Sequence, residues 1–202
     1  MVNIWPFRLI LASSSPRRRD LLAQIGLEFE TAAPTIPEPQ DGFEKLPPRQ
    51  QAEALAYFKA KALRDVGPDA IVLGADTIVA EGGRVLGKPA DATEARRMLQ
   101  TLSGTRHEVI TGVTLLGPPD KRLIASAVTH VTMRRMTPRE IQSYVDSREW
   151  VGKAGAYAIQ ETADRYVEKV EGSFTNVVGL PIELVRRMLE QMMKELRSGK
   201  AP

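Results

Sequence analysis

Hydrophobic positions along the chain alternate between short β-like runs and longer stripes at helical spacing. Leu9 to Leu11 is a short apolar strand, and a hydroxyl-rich turn follows at Ser13-Ser14-Ser15. Ser15 suits an N-cap and Pro16 a first helical position. Leu21, Leu22 and Ile25 then form one helical face that stops at Gly26. Glu28 to Glu30 fits a short strand, and the proline-rich, acidic stretch Thr31 to Pro48 reads as irregular loop. A helix is expected over Pro48 to Val66, with Ala52, Leu55, Ala56, Ala62, Leu63 and Val66 on one face and Lys59 on or beside that apolar stripe. The near-continuous β-branched run Ala70 to Val79 predicts a buried strand. A hairpin turn at Glu81-Gly82-Gly83-Arg84 leads into Val85 to Pro89.

The second half continues the alternation. Asp91 and Glu94 resemble a capping box for a helix through Leu102, closed by Gly104. Strands over His107 to Leu116 and Leu123 to Met133 flank a Gly117-Pro118-Pro119-Asp120 turn, and Thr137-Pro138-Arg139-Glu140 opens a short helix. The glycine-rich Gly152 to Gln160 precedes a strand pair around Tyr166 to Val170. A final amphipathic helix covers Pro181 to Leu196, with fraying expected over Lys194 to Pro202. Hairpins interspersed with helices predict an α/β fold with a mixed, twisted sheet and flanking helices. There is no internal repeat or long linker, so a single domain over residues 1–202 is expected.

Composition narrows this picture mainly by exclusion. At 43% hydrophobic and 26% charged residues, the 202-residue chain matches an ordinary globular protein. The absence of cysteine rules out disulfides and thiolate metal sites. No apolar run approaches the roughly 20 residues a membrane span needs. Met1 to Arg8 lacks the layout of a signal peptide, so the cytoplasm is the expected location. A net charge of +3 and few, scattered aromatic residues argue against nucleic acid as a partner.

The charge pattern contains one local conflict. A helix N-terminus already carries roughly half a positive charge, yet Arg17, Arg18 and Arg19 sit in the first turn. Free N–H groups, hydroxyls and guanidinium forks converging there suit a polyanion such as a phosphate chain; the alternative is an exposed basic turn. Asp76 lies inside the most apolar strand, where a carboxylate must be paired, metal-bound or protonated. A structural salt bridge with Arg17, Arg18 or Lys88 is one reading and a functional site the other. Gly74 and Ala75 beside it permit close approach by a ligand or another backbone. Lys88 follows a turn, Glu38 is stiffened between Pro37 and Pro39, and Gln160 offers both a donor and an acceptor. His107 and His130 have no metal-ligand spacing and read as core or surface histidines. No P-loop, dinucleotide fingerprint, GxSxG or HExxH is present.

Six ordered blocks then carry a resemblance over about Leu9 to Leu189: LASSSPRRRDLL, GADTIV, LGKP, LSGTRHEVITGV, KAGAYAIQ and EGSFTNVVGLP. Together they resemble the Maf family of nucleoside triphosphate pyrophosphatases. The resemblance implies an inosine triphosphate pyrophosphatase-like fold with two lobes around a central cleft, a homodimer, and a divalent metal, Mg or Mn. The implied reaction is hydrolysis between the α and β phosphates of a nucleoside triphosphate. Carried onto this chain, the resemblance implies that Ser13, Ser15, Arg17 and Arg18 hold the triphosphate with Lys59 and Lys88. It implies Asp76 as general base and, with Glu38, as metal ligand. Arg17, Thr77 and Gln160 match the branch acting on dTTP and UTP rather than on 7-methyl-GTP. The alternatives are a purine-directed enzyme of the inosine type and a non-enzymatic regulator of septum formation. The chain departs from the family at Glu161, where glycine is common. A glutamate takes positive φ only with strain, so the loop after Gln160 is expected to run differently.

Overall fold

The computed structural model describes residues 7–34, 42, 45–63, 66–160 and 162–198. Its strands are β1 (Arg8–Ala12), β2 (Glu30–Ala32), β3 (Ala70–Glu81), β4 (Arg84–Leu86), β5 (Arg106–Gly117), β6 (Lys121–Met133) and β7 (Val167–Glu171). Its helices are α1 (Pro16–Ala23), α2 (Pro48–Lys61), α3 (Ala92–Leu102), α4 (Pro138–Ser147), α5 (Phe174–Val178) and α6 (Ile182–Ser198). The sheet runs β2-β1-β3-β5-β6-β7, with β4 added to the end of β3. β2, β1 and β3 are parallel, and β3 to β7 pair antiparallel. The mixed α/β sheet expected from the alternation is therefore present.

Local signals explain most boundaries. Ser15 caps α1 by accepting from the Arg18 N–H, and Asp91 caps α3 by accepting from Glu94. Thr137 and Glu140 form the expected reciprocal capping box at α4. The early strand lies at Glu30–Ala32 rather than Glu28 to Glu30, because its register is set by pairing with Ile10–Ala12 of β1. Of the strand pair expected near Tyr166, one strand, β7, is present among the described residues. The segment just before it is a 3-10 turn, Thr162–Tyr166, which buries Ala163 and Tyr166. α6 stays helical through Ser198 instead of fraying from Lys194, because Met192, Met193 and Leu196 are buried in the core.

The helix–sheet packing is unusually close at α2. Even-numbered residues of β3 face this helix, and Gly112 of β5 lies opposite Asp76 in register. A Cβ at Gly74 would lie 2.2 Å from the Ala56 carbonyl oxygen, and one at Gly112 would lie 2.1 Å from that of Ala52. Ala52, Ala56 and Ala60, four residues apart, present the matching stripe and are fully buried. Glycine on the sheet and alanine on the helix thus let two backbones touch. Of the ligand or backbone that Gly74 could admit, the structure supplies a backbone.

The described residues form two large hydrophobic clusters, and Val167 and Val177 pack against both. One joins β1, α1 and α6 around Leu11, Leu73 and Met188. The other joins α3 and α4 around Leu99, Met133 and Tyr144. The strands β3, β5 and β6 contribute to both, so one continuous sheet carries the two clusters. Among the described residues, no helix is long and apolar enough to cross a membrane. Gly112→Ala is expected to cost at least about 2–3 kcal/mol, because the new methyl meets fixed backbone rather than a movable side chain. Chemical denaturation measures this; a cost below roughly 0.5 kcal/mol would show that α2 shifts freely.

Candidate active site

The sheet has an opening on one edge of β3. β1 pairs with β3 as far as Ala12↔Gly74, and β4 resumes pairing on that side at Val79↔Leu86. Between them, Ala75 to Ile78 are laddered to β5 on the opposite side. A cleft of about 470 Å³ occupies this opening. Because β3 alternates faces, Asp76 points to the α2 side and Thr77 to the other, and both line the cleft.

On the α2 side, Lys59 donates to Asp76 Oδ1 as an ion pair. The two side chains are only 17% and 11% exposed. Lys59 sits next to Ala60 of the packing stripe, so the close helix approach delivers the ammonium group to the carboxylate. The salt-bridge partner for Asp76 is therefore Lys59, rather than Arg17, Arg18 or Lys88. Asp76 is buried, and pairing offsets the cost of its burial.

On the other side, the Arg18 guanidinium is fixed by three acceptors. Nε donates to the Gly179 carbonyl at 2.9 Å, Nη2 to Thr77 Oγ1 at 3.1 Å and Nη1 to Ser13 Oγ at 3.5 Å. Ser13 Oγ also accepts from the Ser15 N–H at 3.2 Å, which folds the hydroxyl turn against the start of α1. Arg17 lines the cleft, whereas Arg19 lies outside it beside Asp20. Thus two of the three consecutive arginines reach the site.

The far wall is the glycine-rich segment. Gly155, at φ 67°, donates its N–H to the Gly87 carbonyl at 3.0 Å, tying the 3-10 turn Ala154–Ala156 to the strand end that carries Lys88. A Cβ at Gly155 would lie 2.9 Å from Val79, so the close contact and the left-handed backbone both require glycine. The turn carries Lys153, Tyr157 and Gln160 along the cleft. Tyr157 is held from behind by His107, whose Nε2 lies 2.8 Å from the phenol oxygen, with the rings edge to face.

Ser13, Ser15, Arg17, Arg18, Lys59, Asp76, Thr77, Lys88 and Gln160 all line this one cleft. Glu38 and Glu161 lie outside the described residues. Lys153 was missed by sequence reasoning, although it opens the KAGAYAIQ block; its Nζ donates to the Glu149 carbonyl. The α5 turn was missed as well, and its signal was Ser173, which caps it by accepting from the Asn176 N–H. His130 lies directly across from Glu108 and pairs with it at 3.3 Å, a neighbour that only strand register reveals.

Among the described lining residues, Asp76 is the one carboxylate, against Arg17, Arg18, Lys59, Lys88 and Lys153. That balance, beside the N-terminus of α1, suits a ligand bearing several negative charges. No group of three metal-binding side chains occurs among the described residues. A lone carboxylate still fits a hard cation such as Mg²⁺, which takes one or two carboxylates together with substrate phosphates.

The fold is a mixed α/β sheet whose cleft gathers several cations around one carboxylate. The chain belongs to the Maf-like protein family, which it matches over residues 8–192. Its relatives include the dTTP/UTP pyrophosphatase of Pelotomaculum thermopropionicum, 46% identical over 91% of this chain and 95% of that one. The dTTP/UTP pyrophosphatase of Symbiobacterium thermophilum is 45% identical over 96% and 98%. Among solved structures, the Ham1 protein of Staphylococcus aureus shares the fold, with a TM-score of 0.50 and 12% identity over 92% of this chain and 99% of that chain.

Burial pushes the His107 pKa down to about 4, so the imidazole is neutral at pH 7. The unfolded chain binds a proton near pH 6.5 that the folded site refuses, so this contribution to stability is complete above pH 6.5 and lost as pH falls towards 4. The loss is on the order of 3 kcal/mol over that window. His107→Gln keeps a hydrogen-bonding group for Tyr157 without titrating. Denaturation midpoints measured from pH 7 to 4 should fall more steeply for the native protein than for this variant; parallel curves would refute the assignment.

Proposed function

We propose that this protein hydrolyses dTTP and UTP to the nucleoside monophosphate and pyrophosphate, acting with a divalent cation, Mg or Mn. The observation that carries the reading is Asp76, a carboxylate held by Lys59 at the opening of the sheet, with Arg17, Arg18 and Lys88 around it. Relatives about 45% identical over nearly the whole chain bear the name dTTP/UTP pyrophosphatase.

In this reading Ser13, Ser15, Arg17, Arg18 and Lys88 bind the triphosphate, and their fixed donors meet charge that develops as the phosphoanhydride bond breaks. Lys59 engages Asp76 Oδ1, which leaves Oδ2 to orient a water and take its proton. Asp76, joined by Glu38 on the strength of the family resemblance, would hold the cation, which neutralises phosphate charge and polarises the phosphoryl group. Gln160 reads the pyrimidine edge through its amide. The protein acts in the cytoplasm as a homodimer.

Pyrophosphate release across a panel of nucleoside triphosphates, with and without Mg²⁺ or Mn²⁺, tests the reading. Release confined to purine nucleotides, or none with any nucleotide, would overturn it. Asp76→Asn keeps the shape and removes the charge, and turnover should fall by at least roughly 10²-fold while the fold survives. Wild-type turnover in that variant would remove Asp76 from the mechanism. Arg18→Ala should weaken triphosphate binding by about 1.5–3 kcal/mol in titration calorimetry. It should also cost roughly 1 kcal/mol of stability, because the Gly179 carbonyl and the Thr77 hydroxyl each lose a charged donor. Unchanged binding would make Arg18 purely structural.

A further inference from the structure

The far wall of the cleft is a loop pinned at both ends by one residue standing behind it. Glu149 lies just past α4, where Arg148 adopts the left-handed conformation at φ 62° and turns the chain. The Glu149 N–H donates to Ser147 Oγ at 3.3 Å, and the buried Trp150 beside it donates its indole N–H to the Val145 carbonyl at 2.9 Å. From this fixed point the Glu149 carbonyl accepts from Lys153 Nζ at 3.1 Å. Its carboxylate oxygen Oε2 accepts twice from Thr162, from the N–H at 3.1 Å and from Oγ1 at 2.7 Å. Lys153 and Thr162 bracket the stretch that carries Tyr157 and Gln160 along the cleft. Neither Glu149 nor Thr162 is among the described residues that line it.

The middle of the wall has anchors of its own. Gly155 is tied to Gly87 and Tyr157 to His107, and the Ala158 N–H donates to Tyr144 Oη at 3.4 Å. Ile159 is buried in the core, whereas Gln160 is exposed. Past Ile159 the next described anchor is Thr162, two residues beyond Gln160. A segment held on one side only samples many orientations and gives up that freedom when it meets a ligand. A second anchor fixes the segment beforehand. Two charge-assisted hydrogen bonds to one carboxylate oxygen are such an anchor.

We infer that Glu149 is a positioning residue for the nucleoside half of the site: its carboxylate fixes the end of the far wall at Thr162, so that the Gln160 amide is presented at a set place in the cleft. The tie acts on that wall alone. Arg18 is fixed by Ser13, Thr77 and Gly179, and Asp76 by Lys59, on the other walls. Loss of the tie therefore falls on recognition of the nucleoside and spares the phosphate cradle and Asp76. This rests on the proposed nucleotide site and deepens it, by giving a side chain outside the cleft a part in the choice of base.

The experiment measures equilibrium binding of UTP, ATP and inorganic tripolyphosphate, with steady-state kinetics on UTP. The proteins compared are the native protein, Glu149→Ala, Glu149→Gln and Thr162→Val. The native protein should bind UTP at least roughly fivefold more tightly than ATP. Glu149→Ala keeps the backbone carbonyl that receives Lys153 and removes only the tie to Thr162. It should weaken UTP binding at least roughly fivefold, raising KM more than it lowers kcat, and narrow the preference over ATP. Its affinity for tripolyphosphate should stay within about twofold of native. Thr162→Val, which loses one of the two bonds, should show a smaller loss of the same kind. Glu149→Gln retains an acceptor oxygen for both donors and should restore the native ratios. An unchanged UTP-to-ATP ratio in folded Glu149→Ala would overturn the inference, as would equal losses of UTP and tripolyphosphate, or a native protein that does not distinguish UTP from ATP. Glu149→Gln as weak as Glu149→Ala would also overturn it, because the charge and not the tie would then be responsible. Should Glu149→Ala not fold, Thr162→Val decides by the same ratios. Binding separates the two readings: a native protein that releases no pyrophosphate yet shows this split refutes the hydrolase reading and supports this one.

Discussion

The arrangement of the site depends on one steric fact: helix α2 rests on bare sheet backbone. Ordinary side chains at positions 74 and 112 would hold it a methyl group or more further away. With glycine there, and alanine at 52, 56 and 60, the helix settles low enough to pair Lys59 with Asp76. The interaction spans two scales: shape complementarity between small residues sets the height of a helix, and that height sets the position of a charge. An apolar core alone would tolerate a looser fit, since cores accept many packings of similar volume. A carboxylate in the middle of a buried strand tolerates much less, because it must find its partner within hydrogen-bonding reach.

The opening in the edge of β3 is the complementary device. A parallel strand leaves the sheet at Gly74 and an antiparallel one joins at Val79, so a four-residue stretch of a central strand is accessible on that edge. Both faces of the sheet are thereby brought to one cleft, and adjacent residues can serve different environments. Asp76 meets the lysine of α2, while Thr77 meets the arginine of α1 and the polar turn before α6. This explains how the short motif GADTIV can carry two site residues whose side chains point in opposite directions.

Much of this was legible in the chain itself. The Ser15 cap is a favourable local signal, while the first-turn arginines, the buried Asp76 and the lysine on an apolar stripe are local conflicts between charge and environment; Ser15, Arg17, Arg18, Asp76 and Lys59 all line the cleft. The partnership of Lys59 with Asp76 was not legible, because helix and strand are far apart in sequence and no local rule fixes the depth at which they pack. The same limit hid Glu108 opposite His130 and Thr111 opposite Thr77, both consequences of strand register. Lys153 and α5 escaped notice for a different reason: glycine-rich stretches give no periodicity, and their conformation follows from docking onto Val79 and Gly87.

The two hydrophobic clusters are not two bodies. β3, β5 and β6, of 12, 12 and 13 residues, pass without interruption from one hydrophobic cluster into the other. A hinge requires a few residues able to absorb large backbone rotations, and laddered strands provide none there. The described walls of the cleft are thereby joined by laddered strands rather than by a flexible link. The charge and shape of those walls are set by strand pairing, so the fold itself builds the complementarity the cleft offers.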